Sequence, residues 1–314
     1  MTLLAKSNHK RHTRKHRGIA MTTKEYETYY VPAQSHWPIV GAIALFLIAI
    51  GAGSYVSNMN NPEGGIGGYV LIAGIALVIY MMFGWFNNVI EESMSGKYSH
   101  QMDNSFRQGM SWFIFSEVMF FAAFFGALLY ARTFSVPWLG GEGNNAMTHA
   151  VLWPEFVAEW PLIKTPDGTE TTAMGWYGLP LINTILLLTS SFTAHFAHVA
   201  LEKGKRAQLK LWLGLTVVLG LVFLYCQGLE YAHGYADEMK LYLDSGIYGN
   251  TFYLLTGFHG MHVTLGTIML IVMLIRVFKG HFTPENHFAF QAASWYWHFV
   301  DVVWVALFIF VYII

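Results

Sequence analysis

Trp295-Tyr-Trp-His-Phe-Val-Asp-Val-Val-Trp304 lies in the last membrane-length stretch of the chain, and its reading decides the fold. It sets an imidazole, His298, and a carboxylate, Asp301, three residues apart in an otherwise apolar run, so a helix carries both on one face. A carboxylate in hydrocarbon is expensive and persists only where it faces protein or water. The run therefore predicts a helix packed inside a membrane protein, with a polar spot at depth.

Composition agrees as the view widens. The chain is 54% apolar, 17% aromatic and only 12% charged, with a mean hydropathy of +0.40, which argues against an ordinary soluble domain. A membrane-spanning helix needs about 20 mostly apolar residues. Seven stretches qualify, at about 37–56, 69–90, 108–131, 178–200, 211–230, 252–277 and 291–313. None has the length or flanks of a cleaved signal peptide. The single cysteine, Cys226, excludes an internal disulfide and any centre that needs two thiolates.

Lysine and arginine placement gives an orientation. Fifteen of the 18 fall on one side: in the N-terminal arm, after spans 2 and 4, and at the end of span 6. Only Arg132, Lys164 and Lys240 fall on the other. The positive-inside rule then predicts a cytoplasmic N-terminus, an outside C-terminus and an odd number of spans. Residues 1–28 form a basic arm; its stretch from Lys6 to Arg17 mixes basic residues with His9, His12 and His16 and has almost no apolar content, and the arm is expected to be disordered. The arm reads either as a tail touching anionic lipid or as a start-site artefact, with the true start at Met21. Residues 29–314 are expected to form one seven-helix transmembrane domain.

The long outer segment, residues 133–177, contains Pro137, Pro154, Pro161, Pro166 and Gly140-Gly-Glu-Gly143, which break regular structure. Its Trp138, Trp153 and Trp160 suit either a lid at the membrane interface or a simple packed loop.

Depth follows from a rise of about 1.5 Å per residue. Glu117 in span 3, His259 and His262 in span 6, and His298 and Asp301 in span 7 all fall near the midplane and read as one polar belt from three helices. They could be structural polar groups bonded to neighbouring helices, haem or metal ligands, or, for Glu117, a proton-linked carboxyl among phenylalanines. No span carries histidines about a dozen residues apart, the spacing expected of a transmembrane di-haem site. The run Phe120-Phe-Ala-Ala-Phe-Phe125 surrounds span 3, so some of its rings are expected to face lipid or a partner.

Trp295 to Trp304, Thr256-Gly-Phe-His-Gly-Met-His-Val263, Ser116-Glu-Val-Met-Phe-Phe121, Gly246-Ile-Tyr-Gly-Asn-Thr-Phe252 and His281-Phe-Thr with His287-Phe-Ala-Phe290 resemble, in order, subunit III of cytochrome c oxidase, of the bacterial aa3 type of haem–copper enzyme. The resemblance implies an all-α protein of seven transmembrane helices, with spans 1–2 set apart from spans 3–7 by a V-shaped lipid cleft. It implies a core subunit with no catalytic, cofactor or metal site of its own, in a proton-pumping oxidase of aerobic respiration. Haem and copper are then expected in the partners: catalytic subunit I, in direct contact, and subunit II. No nucleic acid is expected. It further implies phospholipid binding, and by position Trp85, Glu92 and Arg276 match lipid-contacting residues; an arginine can hold a phosphate bidentately. Asn87-Asn88 and Glu91 depart from the mitochondrial pattern. Glu117 matches the family's carbodiimide-reactive carboxylate, and the family sustains proton uptake at the inner surface. The expected location is a bacterial inner membrane. Subunit III of a quinol oxidase, which typically lacks the first two spans, is the nearest alternative, followed by a membrane haem protein and a secondary transporter.

Overall fold

A computed structural model describes residues 30–59 and 65–314. The basic arm and the alternative start at Met21 lie outside the described residues. Within them the regular structure is helical: α1 (Trp37–Ser57), α2 (Gly67–Met94), α3 (His100–Tyr130), α4 (Val136–Leu139), α5 (Ala146–Leu152), α6 (Leu179–Glu202), α7 (Arg206–Gly234), α8 (Ile247–Phe278) and α9 (Phe288–Leu307). Seven helical segments are long and apolar enough to cross a membrane; α4 and α5 are short and belong to the connection between α3 and α6. In hydrocarbon every backbone N–H and C=O must find a partner within its own segment, which is why uninterrupted apolar runs become helices.

The helices extend past several of the apolar stretches that signal them. α3 runs through a π turn at Ala131–Ser135 directly into α4, so helix persists to Leu139 rather than ending near 131. Pro137 follows the π turn, and such a local π adjustment is one way a membrane helix re-satisfies the backbone groups that a proline frees. Pro38 and Pro180 stand in the first turns of α1 and α6, where a missing N–H has no bond to lose.

The described chain divides into two compact units. In the first, α1 and α2 form a hairpin closed by glycines. A Cβ on Gly74 would stand 2.8 Å from the Ile48 backbone nitrogen, and one on Gly84 would collide with the Trp37 indole ring. Only small residues let backbones approach this closely, and in lipid such contact takes the place of the hydrophobic effect in holding helices together. Trp37 is buried in this seam, edge-on to Tyr80.

The second unit holds α3 to α9, with α6–α9 as its core. Trp297 and Trp304, seven residues apart on α9, are fully buried. Trp297 fills a slot whose walls are glycine: Cβ atoms on Gly220 of α7 and Gly266 of α8 would approach its ring to 2.8 and 2.9 Å. Trp304 packs edge-on to Phe223 at 4.8 Å and beside His259 at 5.0 Å. Each indole N–H also needs an acceptor, and α6 supplies both. Trp297 Nε1 donates to Ser190 Oγ and Trp304 Nε1 to Thr184 Oγ1, each at 3.0 Å.

α3 joins this bundle through rings. Phe120 meets Phe258 at 5.1 Å, Phe121 meets His262 at 5.0 Å, and Phe125 meets Phe310 at 5.9 Å. Of the four phenylalanines between 120 and 125, Phe121 is buried and Phe120, Phe124 and Phe125 are half-buried. Successive residues turn by about 100°, so the two pairs cover adjacent faces, and α8 and α9 take them up. Trp112, Phe115 and Met119 provide the exposed face of α3.

The segment after α4 is packed down. Trp153 Nε1 donates to Leu139 O at 2.7 Å, Thr172 N to Met239 O at 2.9 Å, and Met174 N to Tyr248 Oη at 3.1 Å. These bonds attach it to the end of α4, to the α7–α8 connection and to the first turn of α8. In its 165–169 turn, Asp167 Oδ1 accepts from the Thr165 hydroxyl and the Thr169 amide.

Candidate functional site

The polar residues expected to form one belt resolve into three separate arrangements. The first joins α3 to α8. His262 Nδ1 lies 2.6 Å from the Phe258 carbonyl oxygen, which can only accept, so Nδ1 carries a proton. Its Nε2 faces Glu117 Oε2 at 3.0 Å. One further proton must then lie between these two atoms. The pair is either imidazolium with carboxylate or imidazole with carboxylic acid, and in both forms it is neutral overall, as a group at membrane depth needs to be. Phe120 and Phe121 enclose the imidazole, and the Tyr296 ring stacks on it at 6.3 Å.

The second arrangement is His259, fully buried in the core of α7, α8 and α9. Its Nε2 donates to the Val300 carbonyl at 3.1 Å, which fixes the neutral tautomer, while Nδ1 has no partner. Of the two histidines that could have bonded Glu117, His262 does so and His259 does not.

The third lies between α9 and α6. His298 Nδ1 and Ser191 Oγ are 2.8 Å apart. Asp301 is buried; one of its oxygens lies 3.6 Å from His298 Nδ1 on its own helix, and Ser191 of α6 also faces it. The sequence points to Asp301 as an interhelical bond. Residues 298 and 301 share one face, and both meet α6 at Ser191, with the short contact made by His298.

The residues matched to lipid contacts sit as follows. Trp85 is half exposed on α2 and stacks on Phe86. The Glu92 carbonyl accepts from Ser95 Oγ at 2.8 Å. Arg276, near the end of α8, is buried with its guanidinium 4.5 Å over the Phe282 ring, and its Nε is enclosed without a hydrogen-bond partner.

Two polar links escaped the reading of the sequence. Tyr312 Oη donates to Glu230 Oε1 at 2.7 Å, tying the π-helical tail of α9 to α7. Gln227 Nε2 donates to the Thr256 carbonyl at 2.9 Å, with Tyr231 Oη 2.8 Å from the Thr256 hydroxyl. The first has no spacing signature, because its residues are far apart in the chain. The Thr-Ser-Ser-Phe-Thr run at 189–193 was the readable sign of a polar face on α6 able to receive indole N–H groups.

Comparison with known proteins gives this architecture its context. The family model for cytochrome c oxidase subunit III matches residues 27–314. Cytochrome c oxidase subunit 3 of Marchantia polymorpha is 38% identical over 295 residues, covering 93% of this chain and 98% of its own length. The subunit of Gadus morhua is 35% identical, covering 92% and 98%, and that of Arabidopsis thaliana 36%, covering 93% and 98%. Matches of this length and identity, on a helical membrane architecture, settle the family: the chain belongs to the cytochrome c oxidase subunit III family.

Proposed function

We propose that this chain is a core, non-redox subunit of an oxygen-reducing, proton-translocating cytochrome c oxidase. It braces catalytic subunit I, assembles with subunit II, holds phospholipid beside them and sustains proton uptake. Haem and copper belong to those partners. The observation that carries this reading is how the midplane histidines are used. His262 spends both nitrogens on protein atoms and His259 spends Nε2 on a backbone carbonyl, so their bonding serves helix packing. The relatives are named for cytochrome c oxidase and α1 and α2 are both present, so the quinol-oxidase alternative is not favoured. The place of Arg276 in the last turn of α8, where a guanidinium can hold a phosphate bidentately, supports a phosphate-bearing lipid there. The chain sits in a bacterial inner membrane, and the lysine and arginine distribution supports a cytoplasmic N-terminus.

Gentle detergent purification from the native membrane tests this. The expected result is a stoichiometric complex with a haem- and copper-bearing chain, from which this chain separates colourless. Recovery alone, or with haem retained on this chain, would overturn it.

A further inference from the structure

Outside the polar groups described above, His198, Glu202 and His287 come together where α6 ends and α9 begins. Each offers one ligand atom, and the three atoms lie within 4.8 Å of one another. His198 and Glu202 are one turn apart on α6, with Nε2 and Oε1 separated by 3.7 Å. His287 immediately precedes α9, its ring centre 5.5 Å from that of His198. Two nitrogens of the cluster, His198 Nε2 and His287 Nδ1, are enclosed and make no hydrogen bond. Enclosed polar atoms without partners are uncommon in folded proteins, and an unrecorded ion is one of the standard reasons for them.

We infer that His198, Glu202 and His287 form a binding site for a divalent transition-metal ion of the zinc type, clamping the end of α6 to the start of α9. Two imidazoles and a carboxylate are a donor set for zinc, with a water in the fourth position. Bond lengths of about 2.0–2.2 Å in a tetrahedron place ligand atoms roughly 3.4 Å apart. His198 and Glu202 are already close to that separation. The remaining contraction is at most about 1.4 Å, within reach of side-chain rotation because Glu202 is exposed. The C-terminus of α6 favours a cation and the N-terminus of α9 opposes it, so the ligands decide the balance. Lys203 and Lys205 follow in the chain but are exposed, and their repulsion is screened by salt.

The test is a titration of the chelator-washed complex that contains this chain with Zn²⁺ alone, counting bound zinc. The wild type, Glu202→Gln, and the double variant His198→Gln with His287→Asn are compared. The wild type should hold one zinc equivalent more than the double variant, and Glu202→Gln should bind that equivalent about tenfold more weakly or worse. Equal zinc content and affinity in all three overturns the site. If the double variant fails to assemble, the exposed Glu202→Gln decides alone, and unchanged affinity there also overturns it.

Discussion

The pair formed by Glu117 and His262 gives the most direct measure of how α3 is held. Glu117→Leu removes the carboxyl and leaves His262 Nε2 facing a void of hydrogen-bonding capacity. His262→Phe keeps the ring against Phe121 and Tyr296 and leaves Glu117 without its donor. Hydrogen bonds between membrane helices average about 0.6 kcal/mol, with the largest near 1.7, whereas bonds to charged groups in general reach about 1.5–3 kcal/mol. At 3.0 Å, in a ring-lined setting and with a shared proton, this pair belongs at the upper end of the membrane range. Each single substitution should cost about 2 kcal/mol, because each leaves a polar group unpaired at depth. The double substitution should cost less than the sum, with a coupling energy of about 1.5 kcal/mol. Reversible unfolding of the chain in mixed detergent measures all four corners of the cycle. A coupling below about 0.5 kcal/mol, the limit for independent sites, would refute the pairing. Turnover gives a second check. Glu117→Gln, which keeps a neutral hydrogen bond to His262, should leave initial oxidase activity near wild type while loosening the subunit's association. An immediate and complete loss of electron transfer would show that Glu117 acts in the chemistry itself.

Gly266→Leu should destabilise by about 1–3 kcal/mol or prevent folding, because its side chain would enter the space of the Trp297 ring. Trp304→Phe should cost only about 1 kcal/mol beyond lost packing, since Thr184 keeps its bond to the Pro180 carbonyl; detergent melting curves rank the two. Asp301→Asn should change stability by less than about 1 kcal/mol, because asparagine keeps an acceptor oxygen facing His298 and Ser191. A loss of about 3 kcal/mol or more, the mark of a broken buried pair, would show that its negative charge is paired. In the turn after α5, the Thr165 hydroxyl, followed by the Thr169 amide, holds the Asp167 carboxyl below its ordinary value of 3.8. Its contribution to stability is therefore present above that value and is lost as pH falls through the depressed one. Carboxyl-labelled NMR of Thr165→Val should show the Asp167 midpoint moving up; an unmoved midpoint contradicts the assignment.

The seven apolar runs and the polar residues within them were legible because lipid imposes one rule on every segment. Where helices ended was not. Hydropathy marks hydrocarbon, but a helix continues wherever its backbone bonds stay satisfied, as α3 does past Thr133 and α8 does back to Ile247. The spacing of His298 and Asp301 correctly gave a shared face, yet it says nothing of where Ser191 stands on α6 to meet them. Depth alone merged Glu117, His259 and Asp301 into one belt. It carries no information about azimuth, and the helices turn these residues toward different neighbours. The link from Tyr312 to Glu230 was invisible for a related reason: it depends on how a π-helical tail is aimed.

The position of Trp297 and Trp304 in the chain has a consequence for biosynthesis. Gly51, Gly67, Gly74 and Gly84 complete the first hairpin early, so it can settle in the bilayer while later spans are still on the ribosome. The other bundle has no such independence. α6, α7 and α8 leave the translocation machinery with a glycine-walled groove that only the last helix can fill. A nascent chain halted after Phe278 should remain open to protease and to membrane quality control, and should become resistant once synthesis passes Trp304. α9 acts as the keystone, and the subunit's commitment to its native form waits until that helix has been made.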